Sequence, residues 1–221
     1  MILATGKRRV ATAVNTLLLV HFDGNFADAV GATTLAASSG AAIDTSNVIF
    51  GTGSLSTGAS GKVDANTADS AKFLFTAGKP FTYELFLKAT ASMSGATAGL
   101  ICAWTLNSAF AVWFNSGSFG IRFNNGATDV QAAYNPPVGT AVHLAVCRDS
   151  SNNVSVYAAG NRIASGTFSA NMLTNASLQI GYVGGFGLQA SNARIDEVRI
   201  SKIARYSGAT ITPPSGPFVL D

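Results

Sequence analysis

The 221-residue chain offers few groups that could make or break bonds. Glutamate occurs only at Glu84 and Glu197. Cleaving a glycosidic bond takes two carboxyl groups placed across it. Around Glu84 the chain reads Tyr-Glu-Leu-Phe-Leu-Lys, with apolar residues or lysine where a partner carboxylate would stand. Glu197 lies beside Asp196 in Ile195–Ile200, where pairing with Arg199 or Arg205 is the ready use. His21 and His143 each fall inside a strand pattern, where an imidazole is usually a satisfied structural group. No Gly-x-Ser-x-Gly turn presents a serine nucleophile. Cys102 and Cys147 sit in apolar strand patterns and read as buried thiols, with a bridge left open if their strands are neighbours. Neither has paired Cys or His nearby to suit zinc. No catalytic residue is assigned, and the expectation is a protein that is not an enzyme.

Binding is the better use of the remaining side chains. When the apolar phase of each strand is assigned to the core, the opposite phase carries Glu84, Phe86, Trp113, Arg122, Asn124, Tyr157 and Gln179. Aromatic platforms beside amides and charges suit a glycan groove. Exposed aromatics mark protein interfaces as readily. The seven are therefore expected to line a glycan site or a packing surface.

The elements that would position these residues are strands. Phe81–Lys88 alternates strictly, with Phe81, Tyr83, Leu85 and Leu87 on one face. In Arg194–Ile200, alternation places Asp196, Val198 and Ile200 together. Ser201 then caps about one helical turn over Lys202–Tyr206. Val48–Leu55 reads as a strand, and Ala68–Phe73 as a helical turn. Short strands follow at regular spacing with turn residues between them, including a tight hairpin at Ala159–Arg162. The pattern predicts an all-β sandwich, with residues 16–221 as one domain behind an N-terminal basic arm over 1–15.

Composition narrows the partners. Charged residues make up 11% of the chain, against about 25% in typical soluble domains. So few charges suit assembly with other subunits. The net charge is +3. The one dense basic cluster is Lys7, Arg8 and Arg9, a candidate partner-binding arm, without the aromatic interleaving of a nucleic-acid surface. Val10–Val20 imitates a signal core but is interrupted by Thr12, Asn15 and Thr16, and no run is long enough to span a bilayer. No nucleic acid, membrane or secretion signal is expected. Gly184-Gly185-Phe186-Gly187 lacks the Lys-Ser/Thr of a phosphate loop and reads as a flexible connection.

Several stretches carry a resemblance. The C-terminal Ile-Asp-Glu-Val-Arg-Ile-Ser-Lys-x-Ala-Arg-Tyr, with the later Thr-Pro-Pro, resembles the signature of concanavalin A-like (laminin-G-like) jelly-roll domains. The variant it resembles is common in structural proteins of tailed bacteriophages. Leu17–Gly24, Phe50–Leu55, Phe81–Lys88, His143–Asp149 and Leu178–Gly181 match in order. The resemblance implies a jelly-roll sandwich of two antiparallel sheets. It also implies a non-enzymatic virion protein, a capsid decoration or tail-associated component made in host cytoplasm. Such a protein would dock on other virion proteins and form a homo-oligomer. The alternative is a carbohydrate-binding adhesion module. Glycosidases similar to this fold carry Glu-x-Asp-x-x-Glu, which is absent here. Laminin-G-like relatives often bind Ca²⁺ at the sandwich rim, which would fall to Asp23 and Asp196.

Overall fold

The structure is a computed structural model describing residues 15–38, 40–104, 109–173, 177–190 and 192–221. Residues 1–14 of the expected arm, with Lys7, Arg8 and Arg9, lie outside these residues. In chain order the strands are β1 (Thr16–Val20), β2 (Leu35–Ser38), β3 (Ala42–Asp44), β4 (Ser54–Ser56), β5 (Lys62–Ala65) and β6 (Phe81–Ala89). There follow β7 (Ala98–Ala103), β8 (Phe110–Asn115), β9 (Ser118–Phe123), β10 (Thr128–Ala133), β11 (Ala141–Arg148) and β12 (Asn153–Ala158). The last are β13 (Asn161–Thr167), β14 (Gln179–Ile180), β15 (Tyr182–Val183), β16 (Leu188–Gln189) and β17 (Ala193–Ser201). A helical turn, Thr67–Ser70 continued by Ala71–Phe73, precedes β6 as expected. No helix of the described residues is long and apolar enough to cross a membrane.

Apart from the two-stranded β15–β16 ribbon, the strands form two stacked antiparallel sheets. The first runs β13-β12-β11-β6-β17-β4-β3, with β1 also paired to β17. The second runs β10-β9-β8-β7-β14-β5-β2. The jelly-roll sandwich implied by the resemblance is present. Period-two alternation builds the core. Tyr83, Leu85 and Leu87 of β6 face Phe110, Val112 and Phe114 of β8, and all are buried. Tyr83 stacks on Phe110 at 4.4 Å between ring centres. Each such buried side chain contributes about 1.5–3 kcal/mol. Arg148 also points inward. Its guanidinium lies over Phe81 and donates to the carbonyls of Thr76, Lys79 and Phe168, so backbone dipoles carry its charge. The β12–β13 hairpin turns on Ala159 (φ 48°) and Gly160 (φ 87°), the positive-φ pair a two-residue turn needs.

Three local expectations are corrected. Val48–Leu55 is strand only from Ser54, because the preceding residues form a turn held by side chains described below. In β17 the inward residues are Ile195, Val198 and Ile200, while Asp196, Glu197 and Arg199 face outward. A β-bulge between Asp196 and Arg199, with Glu197 at φ 52°, inserts one residue and resets the alternation. Lys202–Tyr206 forms bends rather than a helical turn. Thr82 Oγ1 donates to the Ile203 carbonyl and accepts from the Arg205 amide, so groups of β6 take the hydrogen bonds a helix would have used.

Candidate functional site

Six of the seven residues expected on one face divide between two, and Asn124 lies at a sheet end. Glu84, Phe86 and Tyr157 lie on the outer face of the first sheet, Trp113, Arg122 and Gln179 on that of the second. The sandwich core separates the two groups, so one groove cannot hold them. The cause is that outward phase is read strand by strand, while sheet membership depends on long-range pairing.

The first-sheet set is covered by residues 202–221, which cross that face as a strap. Glu84 is 1% exposed. Its Oε1 accepts from Arg199 Nε at 2.8 Å, and its Oε2 accepts from Tyr206 Oη at 2.7 Å and His143 Nε2 at 3.0 Å. Burial would raise its pKa, but the His143 bond and the Arg199 charge outweigh it and hold the carboxyl below its ordinary value. Phe86 is packed against Phe50 and Phe218, and Tyr157 against Tyr206. Glu197 accepts from His21 Nδ1 and the Phe218 amide, and the Glu197 bond raises the His21 pKa. Arg205 closes the strap on Asp221, which that bond holds down at about 2. These groups anchor the strap. The thiols of Cys102 and Cys147 are buried in different sheets and unbridged, and burial pushes the Cys147 thiol up to about 12.

On the second sheet, Trp113 of β8 and Trp104, just after β7, lie parallel within 19° at 6.4 Å. Phe186 completes the stack, 5.5 Å from Trp113 and 6.2 Å from Trp104. The two indoles are buried, while Phe186 is 49% exposed. Arg122 lies 4.9 Å over Trp113 and is bonded through Nε to Asp129 at 2.8 Å. Further along the face Gln179 donates to Asp64, which also pairs with Lys62. Asn124 belongs to the sheet end, where it donates to the Asn171 carbonyl and accepts from the Leu173 amide. Sequence reading missed Trp104, Phe186, Asp129, Asp64 and Gln131 of this face. The strand phase of β10 and β5 could have found three of them. Phe186 hides in a glycine-rich loop whose docking over β7 is a tertiary event.

Asp23 and Asp196 hold one loop. Asp196 accepts from the Phe50 amide, Ser54 Oγ and the Glu197 amide, and Asp23 accepts from the Thr52 amide. A Cβ at Gly51 would overlap the Asp23 carboxylate, so glycine there makes the cradle. Burial pushes the Asp196 carboxyl up to about 7, with only neutral donors around it. Two carboxylates on one tight loop fit a hard cation such as Ca²⁺. No group of three or more His, Cys, Asp or Glu is gathered for a metal among the described residues, so carbonyls would complete the shell.

Residues 55–208 match the family model of the concanavalin A-like lectin/glucanases superfamily. The chain belongs to this superfamily. Within the superfamily fold, its solved structural neighbours include the binding domain of Paraclostridial mosquitocidal protein 1. That match has TM-score 0.68 and 12% identity, covering 87% of this chain and 50% of that one. Another is domain 4 of AbnA, a GH43 extracellular arabinanase from Geobacillus stearothermophilus, in complex with arabinotriose. Here the TM-score is 0.66 with 18% identity, covering 86% of this chain and 93% of that one. A third is the binding domain of botulinum neurotoxin DC in complex with SialylT, with TM-score 0.65, 12% identity, and coverage of 88% and 49%. The chain thus spans about half the length of the two toxin domains. At these identities the likeness is one of fold. The two toxin neighbours are binding domains. A comparison with curated proteins finds no match.

Proposed function

We propose that the chain is a non-enzymatic carbohydrate-binding module whose contact surface is the outer face of the second sheet. The observation that carries this reading is the Trp104–Trp113–Phe186 stack flanked by the Arg122–Asp129 pair. An aromatic face beside a few polar groups is the usual make-up of a sugar site. Support comes also from the neighbours solved with arabinotriose and SialylT. The burial of Glu84 under the strap supports a structural rather than a catalytic role for it. The virion-scaffold reading, with its homo-oligomer and virion partners, rests on the phage-like resemblance and the low charge content and takes second place.

Affinity electrophoresis through gels containing soluble polysaccharides tests the proposal. Retardation is expected in at least one gel and should weaken in Arg122→Ala and Trp113→Phe. Free migration in every gel, or retardation unchanged from the wild type in both variants, would remove this face as the site.

A further inference from the structure

The stack on the second sheet is capped by a ring of the chain itself. Phe186 lies within 29° of parallel to Trp113, as a sugar ring does when its C–H face packs on an indole. It keeps half its surface in water while the indoles beneath are 2% and 5% exposed, so lifting it gives up only the packed half of the ring and uncovers indole surface that a sugar face can cover again. Glycines 184, 185 and 187 surround it, with Gly187 at φ 65°, and glycine redistributes φ and ψ without a Cβ penalty.

The polar groups of the same face are unfinished. Trp113 Nε1, Gln131 Oε1 and Gln179 Oε1 are buried and have no hydrogen-bond partner among the described residues. Buried polar atoms are nearly always paired. Trp113 and Gln131 stand in one cross-strand row with Gly120 between them, and the glycine lets Gln131 pack close over the strand. One unmatched donor and two unmatched acceptors call for groups that both give and take hydrogen bonds, as hydroxyls do. The charged residues on the strands of this sheet are Lys62, Asp64, Arg122 and Asp129, and they form two opposite pairs. No unpaired cation is left on these strands to recognise a carboxylate or sulfate.

We infer that an uncharged saccharide binds by displacing the Phe186 ring, stacking on Trp113 and completing the Trp113 and Gln131 atoms of that row; the inference rests on the carbohydrate-binding reading above. The test runs the wild type, Phe186→Ala and Phe186→Leu through gels containing neutral polysaccharides (arabinan, mannan) or acidic ones (alginate, hyaluronan). Acrylamide quenching of tryptophan fluorescence is measured in parallel. Both variants should bind neutral polysaccharide about three- to tenfold more tightly, the range expected when a modest displacement cost is removed. Quenching should rise in Phe186→Ala, and acidic gels should not retard any of the three. Wild-type binding that weakens in both variants would overturn the displacement and leave the carbohydrate reading standing. Preferential retardation by acidic polymers would overturn the uncharged class. Free migration of all three proteins in every gel would sink this inference together with the reading beneath it. Phe186→Leu keeps an apolar cap, so the test survives a fold defect in the alanine variant.

Discussion

The Tyr206 hydroxyl donates a 2.7 Å hydrogen bond to the Glu84 carboxylate across 122 residues of sequence. One carboxylate, shared with His143 and Arg199, thereby fastens the final segment to the middle of the first sheet. Glu84→Ala leaves the Arg199 charge without its partner in a nearly dry site. Removing one partner of a buried pair costs about 3–5 kcal/mol. A urea melt should show that loss as a lower midpoint, and an unchanged midpoint would refute the anchoring role.

Tyr206→Phe removes a single donor to a charged acceptor. The expected cost is about 1.5–3 kcal/mol. Limited proteolysis should then cut within residues 202–221 sooner than in the wild type. Equal cutting rates would mean the hydroxyl does not hold the strap.

Acid should loosen the same anchor. Glu84 and Asp221 both have folded pKa values below their ordinary ones, 4.5 and 3.8, with Asp221 at about 2. A depressed carboxyl contributes stability that is present above its unfolded pKa and lost as pH falls through its folded one. Unfolding free energy should therefore drop from about pH 4 to about pH 2. Asp221 is 37% exposed, so its own share is about 1 kcal/mol or less after screening. Asp221→Asn should flatten the lower part of the curve, and a slope the same as wild type would exclude Asp221.

Calcium is expected to act at Asp23 and Asp196. A ligand that binds only the folded state raises the melting temperature by mass action. Millimolar calcium should raise it, chelator should reverse the rise, and Asp23→Asn should abolish it. Superimposable melts with and without the ion would leave both carboxylates as turn-formers.

The seat of β15 can be tested through Gly99. A Cβ there would run into the Tyr182 and Val183 backbone. Gly99→Ala should push β15 off β7, at about 1–3 kcal/mol. The near-ultraviolet dichroism of the stacked indoles should weaken as Phe186 leaves them, and an unchanged spectrum would contradict this seating.

The architecture was legible because period-two alternation in β6 is strict, short apolar strands follow it at regular spacing, and turn residues punctuate them. The motif Ile195–Tyr206 pointed to the right superfamily. Its local geometry was not legible, because a bulge at Glu197 leaves no mark in an alternating pattern. The site was half legible. Phase placed Trp113, Arg122 and Gln179 outward, on what is the outer face of the second sheet, but the same rule gathered Glu84, Phe86 and Tyr157, which belong to the other sheet. Phase says that a residue points outward; only β-pairing over long sequence distances says which outside, and only the strap's docking says that one of them is closed.

The strap leaves the molecule one-sided, which matters to anyone fixing it to a support. Coupling through exposed Lys202, on the roofed flank, would hold the indole stack toward the liquid. Coupling through Lys62, which neighbours that stack's own sheet face, would turn the same surface against the matrix.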